Sequence, residues 1–196
     1  MAYLLLYIAL TWLVLMPARF RAMAKGYRKA SLALKALPTA LAAAFAAAGY
    51  FSAEVRDLYG LMIFIGLCVC TLADVALDVR FEVGGALFFT GHVVYVAALS
   101  QYRVLSWWCL TVFVVALAGL WCFALRYRRH FPKPHLLAGV MIYVVALAAL
   151  LAFSLPLPLL APSARSTLAA LGAVTFVVSD LSLIHISEPT RRSYIS

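Results

Sequence analysis

The chain of 196 residues is 66% apolar and only 12% charged, with a mean hydropathy of +1.02, whereas an ordinary soluble domain is about half apolar and about a quarter charged. So little polar surface cannot coat a water-soluble globule, which excludes a soluble enzyme, a disordered regulator and a secreted disulfide scaffold and leaves an integral membrane protein. Sixteen Lys/Arg against seven Asp/Glu give a net charge of +9; in a membrane chain this is loop charge that sets orientation, and without interleaved aromatics it does not point to nucleic acid.

About 20 apolar residues are needed for a helix to cross the hydrocarbon core. Seven segments qualify or nearly do. The first, about Ala2–Met16, is short and is expected to end at Pro17. It lacks the basic lead-in and small-residue cleavage site of a signal peptide. The second is Ser31–Tyr50, the third Leu58–Leu77, the fourth Gly84–Gln101 and the fifth Val104–Leu125. The sixth, Leu136–Leu155, is stopped by Pro156 and Pro158, and the seventh is about Ser166–Ile186. Continuous apolar runs without period-two alternation specify helices rather than a barrel. The expected fold class is therefore all-α, a polytopic transmembrane helix bundle, with residues 1–180 forming a single domain.

The last residues are of a different kind. Leu181–Arg191 reads LSLIHISEPTR, which looks like translated read-through of a sequencing-library adapter. Residues 181–196 are expected to be a non-native tail, with the native chain cut near Asp180. His185, Glu188, Arg191 and Arg192 accordingly carry no functional weight.

Counting Lys/Arg by loop gives an orientation. Arg19, Arg21, Lys25, Arg28, Lys29, Arg80, Arg126, Arg128, Arg129 and Lys133 fall on one side, and Arg56, Arg103 and Arg165 on the other. Positive-inside places the first group in the cytoplasm and the amino terminus outside; the expected location is a bacterial cytoplasmic membrane. The four cysteines, Cys68, Cys70, Cys109 and Cys122, lie in apolar runs and read as small packing residues.

Ionisable groups at bilayer depth are costly and are functional candidates for that reason. Asp74 lies sixteen residues after Leu58, and Asp180 fourteen after Ser166, so each stands roughly 21–24 Å along its helix. Both helices run outside to inside, which brings the two carboxyls to similar depth. Two carboxyls taken out of water can hold different protonation states, the requirement for an acid/base pair. A structural role, cementing helices, is the plainer alternative for each. Asp78, one turn below Asp74, reads as a solvated charge beside Arg80. Cys70 and Gly66 continue its face, and Gly66 suits a close helix approach. His92 shares a face with Phe88 and Tyr95 and suits proton transfer or a cross-helix hydrogen bond. Lys35 reads as a snorkelling cation, or as one that holds a lipid phosphate or a carboxylate. No second intramembrane His supports a metal site, and no cofactor is expected.

Several of these residues sit in a recognisable order. GLCVCTLADVALD (Gly66–Asp78), Phe81, Gly85 and FFTGHVVY (Phe88–Tyr95) resemble the motifs of the YhhN-like, or lysoplasmalogenase, family. KALPT (Lys35–Thr39) is similar to its second-helix lysine motif, and GAVTFVVSD (Gly172–Asp180) to its late motif ending in aspartate. Ala73 stands where the family usually has Gly, and Cys70 or Thr71 near its usual Ser. The resemblance implies eight helices, the last absent here. It also implies a hydrolase that cleaves the vinyl ether of a lysoplasmalogen to a fatty aldehyde and a glycerophospho-alcohol. Asp74 and Asp180 match the family's two motif aspartates, the implied catalytic pair. His92, Tyr95 and Asp78 would support them, and Lys35, with loop arginines, would hold the phosphate. The expected partners are a lysophospholipid or ether lipid and the surrounding bilayer. A proton-coupled carrier, and a scaffold or lipid sensor without catalysis, stand as the competing readings.

Overall fold

A computed structural model describes residues 7, 9–128 and 134–186, with backbone alone for 182–186. Residues 1–6 and 8, which include much of the first expected segment, residues 129–133 with Arg129, His130 and Lys133, and residues 187–196 lie outside the described residues. The chain divides into two compact units, Met1–Ala98 and Leu99–Ser196.

The first unit starts with a helical path that Pro17 does not close, contrary to the sequence expectation. Leu10–Leu15 forms a π-helical turn, and Met16 N–H reaches back five residues to the Thr11 carbonyl. The helix α1, Met16–Ala24, continues from it with Pro17 in its first turn. In a regular α-helix a proline ring strikes the carbonyl four residues back; the wider π turn opens that spacing, so the chain passes through. α1 ends in a Schellman motif. Gly26, at φ +73°, lets Gly26 N–H bond the Met23 carbonyl and Tyr27 N–H the Ala22 carbonyl.

That compact turn also corrects the charge assignment. Arg19 and Arg21 are on α1, and Arg28 and Lys29 open α2, Arg28–Ser52, which leaves Lys25 as the basic residue of the connection. α3, Leu58–Val79, is capped by Asp57, whose carboxylate accepts from Gly60 N–H at 2.8 Å. Only Arg80 separates α3 from α4, Phe81–Ser100. So tight a reversal presses Gly84 onto the Leu77 backbone, where a Cβ would lie 2.5 Å from Leu77 Cα. Further along, a Cβ on Gly66 would run into the Tyr95 ring, and one on Gly91 would lie 2.7 Å from Cys70 Sγ. The small residues are what let α3 and α4 meet, as expected for helices packing without a hydrophobic driving force.

The second unit holds α5, Trp107–Arg126, α6, Pro134–Ser154, the one-turn α7, Leu157–Leu160, and α8, Ala164–Ile186. Pro156 stops α6 and caps α7, as its lost N–H dictates. α8 opens with a reciprocal cap: Ser166 N–H donates to Ser163 Oγ, and Ser163 N–H to Ser166 Oγ, each at 3.0 Å. Leu120 and Ala124 of α5, Val144, Leu147 and Ala148 of α6 and Val177 of α8 form its core.

Among the described residues, six helical segments are long and apolar enough to cross a bilayer: 28–52, 58–79, 81–100, 107–126, 134–160 and 164–181. Large apolar side chains face outward at their middles, among them Leu72, Val115 and Val178, each more than half exposed. Water would penalise such a surface, and lipid matches it. The fold is an all-α, polytopic transmembrane helix bundle.

Candidate functional site

The polar groups of the first unit are arranged as a ladder between two antiparallel helices. Lys35 and Thr39 are four residues apart on α2, and Asp74 and Asp78 four apart on α3. Equal spacing puts each pair on one helix face. The rungs follow: Thr39 Oγ1 donates to Asp74 Oδ2 at 2.7 Å, and Lys35 Nζ donates to Asp78 Oδ1 at 2.8 Å. The lower rung is an ion pair between a nearly buried lysine (side chain 11% exposed) and a half-exposed aspartate (43%). Arg28 Nη2 adds a 3.4 Å contact to the Asp78 carbonyl.

Two expectations are refined by this geometry. Asp78 lies inside α3 and pairs with Lys35, rather than standing in a loop beside Arg80. Lys35 enters two turns along α2, because the helix begins at Arg28 rather than Ser31. Pro38 sits between Lys35 and Thr39, where it leaves the Leu34 carbonyl without its usual helical donor. The Pro38 carbonyl accepts a 3.0 Å hydrogen bond from the Tyr7 hydroxyl.

One turn above Asp74, Cys70 is fully buried against Gly91 of α4. The next residue, His92, is also fully buried, with Nδ1 2.6 Å from the Phe88 carbonyl. A carbonyl only accepts, so Nδ1 carries a proton and is the donor of this bond. The His92 and Tyr95 rings meet edge to face at 6.5 Å. Tyr95 in turn hydrogen-bonds with Cys70 and covers Gly66. His92, Tyr95 and Cys70 thus form one packed group on the α3–α4 side, and Asp74, Asp78 and Lys35 another on the α2–α3 side.

In the second unit, Asp180 is buried on α8 and accepts a 2.5 Å hydrogen bond from the Tyr143 hydroxyl of α6. Asp74 and Asp180 stand at the same distance along their own helices. Each is sixteen residues from its helix start, 74 − 58 and 180 − 164, or about 24 Å.

Thr39 and Tyr143 are the polar neighbours that sequence reasoning passed over, and Arg19, counted there as a loop charge, lies on α1. Thr39 had a usable signal, since its spacing from Lys35 equals that of Asp74 from Asp78. Tyr143 had none, because a tyrosine in an apolar run resembles any interfacial aromatic.

An aspartate bonded to a hydroxyl in each unit, with an ion pair one turn from the first, sets polar groups within helices apolar enough to cross a bilayer, and the class is a polytopic membrane protein. The chain matches the YhhN family over residues 30–191 and belongs to that family. The match takes in both motif aspartates and runs past Asp180 into the segment that resembles adapter sequence. No curated protein and no solved structure matches the chain.

Proposed function

We propose that this protein is a membrane-embedded hydrolase of the vinyl-ether bond of lysoplasmalogen or a related lysophospholipid. The observation that supports it is the partner of each motif aspartate: Thr39 donates to Asp74 and Tyr143 to Asp180. A hydroxyl can donate to a carboxylate or accept from a carboxylic acid, so it tolerates both protonation states. A lysine does not, and the lysine of this site is taken by Asp78.

The reaction needs that tolerance. A carboxylic acid delivers its proton to the vinyl carbon remote from the ether oxygen, which leaves an oxocarbenium ion. A carboxylate stabilises this cation and takes a proton from the attacking water, as in glycoside hydrolysis. The hemiacetal so formed releases the glycerophospho-alcohol and the fatty aldehyde. On the family resemblance we assign the two roles to the motif aspartates, Asp74 of the first unit and Asp180 of the second. His92 and Tyr95 are positioning residues, and Lys35 sets the charge of the headgroup end through Asp78. No step calls on a metal or a bound cofactor.

We propose further that the carboxy-terminal end of α3 faces the cytoplasm, since the loops expected on that side carry most of the Lys/Arg. The experiment is aldehyde release from lysoplasmalogen by the purified protein in lipid vesicles. Turnover that disappears in both Asp74→Asn and Asp180→Asn, with folding retained, supports the reading. Undiminished turnover in either variant removes that residue from the mechanism, and an intact vinyl ether with proton uptake by the vesicles would favour a carrier instead.

A further inference from the structure

Arg19 is the cation that the ladder leaves over. Its Nε–H is buried and meets no acceptor among the described residues. It lies within electrostatic reach of Asp74, yet among the described residues it forms no ion pair with either aspartate. Thr39 holds Asp74 at 2.7 Å, Lys35 holds Asp78 at 2.8 Å, and Arg28 reaches the Asp78 backbone. Arg19 also precedes residues 30–191, the stretch that matches the family.

A guanidinium keeps its charge in any protein environment. A buried N–H of such a group without an acceptor is unfavourable, so the cluster is short of an anion. The formal charges agree: even with both aspartates ionised, Arg19, Arg28 and Lys35 set three positive charges against the two of Asp74 and Asp78, an excess of one. A phosphodiester carries one negative charge. Its two free oxygens match the parallel N–H groups of the arginine fork better than the point charge of a lysine. The cluster also lies where a headgroup would be. Arg28 opens α2, and Asp78 is the penultimate residue of α3.

We propose that Arg19 is the phosphate ligand of the lysophospholipid substrate. Its guanidinium takes two phosphate oxygens, while the Lys35–Asp78 pair stays closed and fixes the end of α2 against α3. This deepens the hydrolase reading and rests on it for the lipid.

The test is equilibrium binding to the full chain in detergent, followed by tryptophan fluorescence. The probes are a saturated 1-O-alkyl lysophosphoethanolamine, which has no vinyl ether to cleave, and the matching 1-O-alkylglycerol without phosphate. Wild type is expected to prefer the phospholipid by about tenfold or more, the scale of a charge-assisted hydrogen bond. Arg19→Gln should lose that preference while binding the alkylglycerol as before, and Arg19→Lys should retain part of it. A wild-type protein without the preference, or an Arg19→Gln variant that keeps it in full, overturns the proposal. Where Arg19→Gln fails to fold, an unchanged preference in Arg19→Lys overturns it equally. Glycerophosphoethanolamine that competes as well as the lipid would assign the site to a soluble phosphoester and overturn the lipid assignment. Aldehyde release measured alongside separates the two claims. Arg19-dependent phosphate binding without hydrolysis refutes the hydrolase alone, and hydrolysis with an Arg19-independent preference refutes the Arg19 site alone.

Discussion

Thr39 Oγ1 and Asp74 Oδ2 are 2.7 Å apart across α2 and α3, one turn above a second contact of the same span. Had the register slipped by one turn, Lys35 would face Asp74 and lock it as a carboxylate. The observed register keeps the lysine on Asp78 and gives the motif aspartate a hydroxyl. Thr39→Val keeps the shape and deletes that donor. The hydrogen bond contributes about 1 kcal/mol where Asp74 is the neutral acid and more where it is ionised, so kcat for aldehyde release should fall roughly fivefold or more, with Thr39→Ser close to wild type. Steady-state kinetics on both variants checks this, and equal losses in the two would tie the effect to packing.

The Lys35–Asp78 pair should behave as a fastener rather than as chemistry. Asp78→Asn leaves a nearly buried ammonium without its carboxylate, the costlier half of breaking a pair. Because Asp78 is 43% exposed, water screens the pair, and the coupling measured in a double-mutant cycle with Lys35→Met should be about 1 kcal/mol or less. Thermal unfolding in detergent gives the four stabilities. The double variant should be more stable than Asp78→Asn alone, and additive losses would show that the two residues act independently.

Most of the architecture was legible before any coordinates, because a bilayer demands length and apolarity of each span and the demand is local. The helices α2 to α6 fall within a few residues of the apolar runs. Pro17 misled because the rule that proline ends a helix presumes α-helical spacing, and Leu10–Leu15 departs from it. The candidate aspartates were legible for the same reason as the spans, since charge stands out against apolar sequence. Their partners were not. Thr39 is 35 residues from Asp74 and Tyr143 is 37 from Asp180, and a hydroxyl in an apolar helix commonly bonds its own backbone, as Thr90 and Thr111 do here.

Tyr143→Phe removes the hydroxyl from Asp180 and leaves the ring in place. Asp180 is buried and Tyr143 packs against the core of the second unit, so unfolding should shift little while turnover falls. About fivefold is expected for one hydrogen bond, and more where the hydroxyl also governs the carboxyl's proton. Kinetics on vesicle-reconstituted protein, with melting temperature as the control, checks it. A large drop in melting temperature with turnover per folded molecule intact would make Tyr143 a structural residue.

The α3–α4 contact yields the sharpest stability test, because two glycines there oppose different kinds of atom. A Cβ at Gly66 meets the Tyr95 ring, a side chain, whereas a Cβ at Gly84 meets Leu77 N and Cα, which are backbone. Either Gly→Ala overpacks the contact and should cost about 1–3 kcal/mol. Truncation relieves only the first. Gly66→Ala combined with Tyr95→Ala should be more stable than the sum of the single losses predicts, since the ring that clashes is gone. Gly84→Ala combined with Leu77→Ala should show no such recovery, because the clashing atoms remain. Melting temperatures of the four single and two double variants settle the comparison. Recovery in the Gly84 pair would mean that the helices are separated by side chains there rather than pressed backbone to backbone.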